Sequence, residues 1–149
     1  MFEDLAGKTA VVTGASGGLG LHFAQLLARH GTHVVLAARS HAAIQQAAAA
    51  IIASGGSAEA VALDVTRADD VAAVFAGLGR DIDILVNNAG ISGGAAAIDQ
   101  SEADFDAVID TNLKGSFLVA QAAARRMKAQ GHGGAIVNIA SILGIRVAG

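Results

Sequence analysis

Lys8-Thr9-Ala10-Val11-Val12-Thr13 runs straight into Gly14-Ala15-Ser16-Gly17-Gly18-Leu19-Gly20, and apolar residues then recur at helical spacing to about residue 30. A β-branched run, a Gly-rich turn and an amphipathic stretch read as a strand whose turn opens a helix. A helix start carries free backbone N–H groups and the positive end of the helix dipole, and Gly permits the tight turn and close backbone approach that a dinucleotide pyrophosphate needs. The spacing Gly14-x-x-x-Gly18-x-Gly20 differs from the widespread G-x-G-x-x-G fingerprint. A Gly-rich turn by itself is weak evidence, because Gly also caps and turns for purely structural reasons. The strand before it and the helix after it strengthen the reading.

Four further β-rich runs follow at 33–38, 58–63, 82–87 and 134–140, beside the first at 8–13. Between them lie Ala-, Leu- and Gln-rich stretches at 18–30, 41–54, 67–78 and 101–130, which stop at Gly31, Gly55-Gly56 and Gly131. Strict alternation, with strands apolar on both faces, predicts a doubly wound α/β fold with a Rossmann-like parallel sheet of about five strands. The Ala47–Ala50 run is expected to be a packed helix with Ile44, Ile51 and Ile52 inward. In the 101–130 helix the inward face is expected to hold Phe105, Val108, Ile109, Ser116, Val119, Ala123 and Met127, with Asn112 in the helix interior. Gly-rich stretches at 55–56, 93–94 and 131–134 read as loops, and nothing resembling a linker interrupts the chain.

At 149 residues the chain is one domain, and its 53% hydrophobic and 15% charged residues imply a buried core. Ten basic and thirteen acidic residues give a net charge of −3, with the basic residues scattered apart from Arg125-Arg126-Met127-Lys128, which argues against a nucleic-acid partner. Zero Cys excludes disulfides, thiolate nucleophiles and Cys-based metal sites, and the His residues at 22, 30, 33, 41 and 132 lack metal-ligand spacing. With no basic and apolar leader and no apolar run near the ~18 residues that span a bilayer, a soluble cytoplasmic protein is expected, with no membrane partner.

Two positions bear on the cofactor. After the second strand, Ala37-Ala38-Arg39-Ser40 has no acid to accept from a ribose 2′-hydroxyl; Arg39 is placed to pair with a 2′-phosphate and Ser40 to add a donor, which favours NADP over NAD. After the third strand, Asp64 in Asp64-Val65 reads as an N-cap for the helix starting near Arg67. Asn112 would be a costly helix-interior residue unless bonded to a backbone carbonyl. As a nucleophile Ser141, after the fifth strand, would need a base, and the sequence shows no His or Asp arrangement near it, so a hydrolase reading is poor. Asn138 in the same strand reads as structural.

Thr13 to Gly20, Asp64-Val65, Asn87-Asn88-Ala89-Gly90, Thr111-Asn112-Leu113-Lys114-Gly115 and Ile136 to Ser141 occur in an order and context that resembles the short-chain dehydrogenase/reductase family. The resemblance implies an NAD(P)-dependent oxidoreductase acting on a small carbonyl/alcohol substrate. It implies cofactor contacts from Thr13, Gly14, Ser16, Gly18, Leu19, Gly20, Arg39, Ser40, Asp64, Val65, Asn88, Ala89 and Gly90, with Asp64 meeting the adenine edge. It further implies that Ser141 bonds the substrate oxygen and that Asn112 holds a water in a proton relay. The family's proton donor is the Tyr of a Tyr-x-x-x-Lys motif beyond the Ser, and this chain contains no Tyr. Loss of that general acid forfeits roughly 10²- to 10⁴-fold, so the chain reads as the first part of such an enzyme, cut short, with little turnover alone. The helix at 101–130 would then expose its apolar face and the fifth strand a bare edge, favouring a homo-oligomer through that helix. The alternatives are a non-catalytic NADP-binding module, or a half-subunit that recruits the missing residues from a partner chain.

Overall fold

Successive side chains of a strand point to opposite faces, so a sheet covered by helices on both sides requires strands that are apolar at every position. Thr9–Thr13 (β1) is buried throughout, and His33–Ala38 (β2) at all but its first residue. The computed structural model, which describes residues 3–93 and 95–142, adds Ser57–Ala62 (β3), Ile84–Asn87 (β4) and Ala135–Asn138 (β5). All neighbours are parallel in the order β3-β2-β1-β4-β5. This is the doubly wound α/β fold expected from the alternation. Gly94 and residues 143–149 lie outside the described residues, and with Gly94 half of the expected 93–94 loop.

The alternation sorts the core into two layers. Val12, Val34, Leu36, Ala38 and Val86 pack beneath Gly18–Arg29 (α1) and His41–Ala53 (α2), through Ala24, Ala28, Ile44, Ala48 and Ile51. Val11, Val35, Ala37 and Leu85 face the other side, against Val71 and Phe75 of Ala68–Gly77 (α3) and Val119, Ala123 and Met127 of Ser116–Gln130 (α5). The Ala-rich α2 is a packed helix, but Ile52 is 55% exposed rather than inward. At 3.6 residues per turn, residues 44, 48 and 51 share a stripe that residue 52 leaves.

The expected continuous helix over 101–130 is instead three pieces: Glu102–Ile109 (α4), a π-helical segment Asp110–Gly115, and α5. The wider turn shifts the helical phase, so Val119, Ala123 and Met127 are inward while Phe105 and Ile109 are exposed at 55% and 37%. Phe105, Ile109, Leu113 and Phe117 together present apolar side chains to solvent. Ile136 and Val137 are exposed as well, since among the described residues β5 pairs only with β4 and is exposed at every residue.

Within the basic run at 125–128, Arg126 is spent on internal hydrogen bonds. Its guanidinium donates to the carbonyls of Phe75 at 3.1 Å, Leu78 at 2.7 Å and Arg80 at 3.0 Å. Helix α3 ends on extended Leu78 without a Gly cap, so the guanidinium takes up carbonyls that the helix leaves unpaired. At the start of β4, Asp83 accepts from the Thr9 N–H at 2.9 Å and pairs with Lys8 at 3.1 Å, tying β1 to β4. Burial pushes the Asp83 carboxyl up, but the Thr9 N–H, Lys8 and His132 together hold it below its usual value.

Two outcomes follow. Arg126→Ala should cost roughly 1.5–3 kcal/mol, the range for hydrogen bonds to a charged group. Arg126→Lys should recover only part of this, because an ammonium lacks the planar fork; urea unfolding midpoints measure both. Because the folded carboxyl of Asp83 is depressed, its contribution is complete above the usual value of 3.8 and is lost as pH falls through the lower folded value. Acid unfolding followed by circular dichroism should therefore be less steep in Asp83→Asn, which should also be the less stable protein at neutral pH.

Candidate functional site

The chain runs from β1 outward through β2 and β3 on one side, then returns to place β4 on the other side of β1. Loops leaving β1 and β4 therefore diverge at the C-terminal edge of the sheet, which is where doubly wound folds open a crevice. A cleft of about 320 Å³ lies there, lined by Gly14, Ser16, Arg39, Ser40, Asp64, Val65, Thr66, Ala89, Gly90, Ile91 and Thr111 among others. A cleft of about 550 Å³ at the far end, between the C-terminal parts of α1 and α2, includes none of the motif residues.

The floor of the first cleft is fixed by Thr13, whose side chain is inaccessible to solvent. Its hydroxyl accepts from the N–H groups of Asn88 at 2.9 Å and Ala89 at 3.0 Å, and donates to Asn87 Oδ1 at 3.4 Å. Asn88 Nδ2 returns to the Thr13 carbonyl at 3.0 Å. The turn that follows Thr13 has no room for a side chain at Gly14 or Gly20. Gly14 has φ +66°, a conformation that disfavours L residues, and a Cβ there would stand 3.0 Å from Ala89 Cα. A Cβ on Gly20 would collide with the Gly14 carbonyl oxygen and lie 2.7 Å from Asn88 Nδ2. Helix α1 thus starts tightly against the turn, and its N-cap, Gly17, makes no side-chain capping bond. Its first N–H groups are left for a ligand or solvent.

Arg39 and Ser40 stand at the end of β2, and Asp64 at the end of β3, on the same cleft. Asp64 is not the expected N-cap: that position is Arg67, which makes no side-chain capping bond. Asp64 Oδ1 instead accepts from the Thr66 N–H at 3.0 Å and the Thr66 hydroxyl at 2.7 Å, a local turn that precedes the helix. Burial raises the Asp64 carboxyl, but the Thr66 bonds and the Arg39 and Arg67 guanidiniums outweigh it and hold the group below its usual value. It is an acceptor only at neutral pH.

Asn112 lies in the π-helical segment and is exposed, not buried in the helix interior. Its amide makes the backbone bonds that such a residue needs: Nδ2 donates to the Ile91 carbonyl at 2.8 Å and Oδ1 accepts from the Ile91 N–H at 2.9 Å. This pins the loop after β4 to the helix. Ser141 follows the end of β5 and is exposed; it does not line the cleft. Thr13, Gly18, Leu19, Gly20 and Asn88 do not line it either, and Thr13 and Asn88 shape it from below.

Asn87, part of the Asn87–Gly90 motif but not of its expected cofactor contacts, is 3% exposed. Its Nδ2 donates to the Ser116 carbonyl at 2.8 Å and to Asn138 Oδ1 at 3.0 Å, so one amide joins β1, β4, β5 and α5. The signal was a polar residue closing the apolar run Ile84-Leu85-Val86. Asn138 is structural, as its strand position suggested. Among the described residues no cluster of His, Asp or Glu could hold a metal ion, and no helix is long and apolar enough to cross a membrane.

The comparisons with known proteins agree with this geometry. Residues 8–148 match the family model of the short chain dehydrogenases. The chain is 43% identical over 142 residues to gluconate 5-dehydrogenase of Gluconobacter oxydans, covering 93% of this chain and 55% of the relative. It is 41% identical over 146 residues to L-rhamnose 1-dehydrogenase (NAD(P)(+)) of Azotobacter vinelandii, covering 93% and 57%. It therefore spans little more than half the length of these curated relatives. Among solved structures, a short-chain type dehydrogenase/reductase from Mycobacterium marinum superposes with a TM-score of 0.92 at 42% identity, covering 99% of this chain and 60% of the other. A putative NAD(P) dependent gluconate 5-dehydrogenase from Beutenbergia cavernae, with bound NADP, superposes with a TM-score of 0.91 at 39% identity, covering 99% and 59%. A strand order that reverses at β1, a Gly-rich turn on the C-terminal edge of the sheet, and a family match over nearly the whole chain give one conclusion: this chain belongs to the short-chain dehydrogenase/reductase family.

Proposed function

We propose that these residues form the NADP-binding part of an oxidoreductase acting on a small carbonyl/alcohol substrate. The observation that carries this is the cleft at the strand-order reversal, where Arg39, Ser40 and Asp64 share one lining with Gly14, Ala89 and Gly90. The residues fit a dinucleotide, since the turn has no room for a side chain at Gly14 or Gly20 while helix α1 begins without a side-chain cap. In this reading the α1 N–H groups, Gly14 and Ser16 hold the pyrophosphate, Arg39 and Ser40 a 2′-phosphate, Asp64 and Val65 the adenine, and Asn88, Ala89 and Gly90 the second ribose. The relative active with NAD(P) and the neighbour holding NADP support a nicotinamide dinucleotide. Arg39, in a stretch Ala37-Ala38-Arg39-Ser40 that carries no acid, favours the phosphorylated form.

When bound, the nicotinamide supplies or accepts hydride. Ser141 donates a hydrogen bond to the substrate oxygen. Asn112 keeps the loop at Ile91 in place, and its second amide hydrogen and remaining lone pair order a water beside it. None of the 149 residues is Tyr, so this chain by itself is expected to bind the dinucleotide with little turnover. The retained Ser141 and Asn112 favour an oxidoreductase over a nucleotide sensor, which has no use for them. The exposed Phe105, Ile109, Leu113 and Phe117 favour self-association through this helix.

Titration calorimetry should give a lower Kd for NADPH than for NADH. Arg39→Ala should weaken NADPH about 10- to 100-fold, the loss of a charge-assisted pair, and leave NADH unchanged. Equal losses for the two dinucleotides, or none, would reject NADP preference. Sedimentation velocity should show dimers or larger species, and Phe117→Asp should shift the distribution towards monomer.

A further inference from the structure

Asp70 is an acid in the first turn of α3, a position that ordinarily needs no explanation beyond the helix dipole. Its carboxylate, however, reaches back past the helix start: Oδ2 accepts from the backbone N–H of Asp64 at 2.7 Å. This bond anchors the residue at the end of β3. The Leu63 N–H donates to the Ala38 carbonyl at 3.1 Å, the Arg67 N–H to the Asp64 carbonyl at 3.1 Å, and Thr66 holds Asp64 Oδ1 through two bonds. The N–H, the carbonyl and one carboxylate oxygen of Asp64 are therefore all committed. Asp64 Oδ2 accepts no hydrogen bond among the described residues, and Asp64 lines the cleft beside Arg39.

We propose that Asp70 is a positioning residue for nucleobase recognition: by holding the Asp64 N–H it sets the direction in which Asp64 Oδ2 faces a base edge carrying an amino group. The inference rests on the dinucleotide reading of the cleft. A fixed carboxylate that is acceptor-only rewards a base presenting N–H at that edge and penalises one presenting a carbonyl oxygen there. Adenine presents an exocyclic amino group at C6; hypoxanthine, of nearly the same shape, presents a carbonyl oxygen there and carries its N–H one atom away at N1, outside the direction fixed for Asp64 Oδ2. Thr66 takes the other oxygen out of competition, so one acceptor with one direction remains. A merely structural Asp70 would support the loop, and its loss would weaken every dinucleotide alike. A positioning Asp70 changes the ratio between the two bases.

The test uses the full-length protein and two probes, NADP and its hypoxanthine analogue, with Kd measured for each by titration. The parent protein should prefer the adenine form by about tenfold, the loss and repulsion of one charged hydrogen bond. Asp64→Ala should bring the ratio near one. Asp70→Ala should lower it several-fold, and the Asp64→Ala/Asp70→Ala double variant should show no further change in ratio. Asp70→Asn, which keeps an acceptor oxygen, should retain most of the parent preference and serves if the Ala variant fails to fold: a parent-like ratio in Asp70→Asn with loss in Asp70→Ser supports the role. Equal weakening of both probes by the Asp70 variants, with the ratio intact, overturns the proposal and leaves the cofactor reading standing. A parent ratio near one also overturns it. Failure of the parent to bind either probe overturns the cofactor reading and this inference together.

Discussion

The hydroxyl of Thr13 is the contact on which the rest of the site depends. It is buried at the point where the sheet changes direction, and it joins the end of β1 to the Asn88 and Ala89 N–H groups and to the Asn87 amide. A buried hydroxyl left unpaired costs free energy, as does a buried amide, so each group is stable only because the other is in place. Asn87 passes the constraint on to Asn138 in β5 and to the Ser116 carbonyl at the start of α5. No buried side-chain polar atom among the described residues lacks a partner. The strand ends that carry Gly14, Ala89 and Gly90 are thus held in register by polar bonds, in a sheet whose remaining cohesion is non-directional apolar packing.

A second constraint ties the outer helix to the cleft. The π-helical segment brings Asn112 to the Ile91 backbone and Gly115 against Val65, where a Cβ would sit 2.8 Å from Val65 Cγ2. The widened turn is held at both ends by features of the site: the loop after β4 and the residue after Asp64. The cost is a phase change that turns Phe105 and Ile109 outward while α5 still buries Val119, Ala123 and Met127. One helix therefore serves the core with its second half and presents an apolar stripe with its first.

How much of this could be read beforehand depended on whether the cause was local. The strand runs, the Gly stops and the Gly14–Gly20 turn were legible because each is written in consecutive residues with a period of two or of 3.6. An Asp before a helix usually caps it, which is what the sequence implies for Asp64; its bonds to Thr66 and Asp70 depend on how the turn winds. Asn112 was read as bonded to backbone, which it is, but as buried, which it is not, since a π-helical turn is invisible to a fixed helical period. Ile52 failed for a simpler reason: an all-apolar run of Ala and Ile does not mark its own inward face.

The sequence alone determined the class of the fold, the order of its strands, and the residues that mark the family. These follow from backbone propensity and from which residues can be buried at regular intervals. The tertiary structure decided where β4 and β5 lie relative to β1, which motif residues line one cleft and which support it from below, and that Asp70 grips Asp64. Those features are made by groups brought together from distant parts of the chain, such as Thr13 with Asn87 and Asn112 with Ile91, and hydrogen bonding between them is directional. Hydrophobic periodicity specifies that a surface is buried, not which polar atom meets which across the sheet.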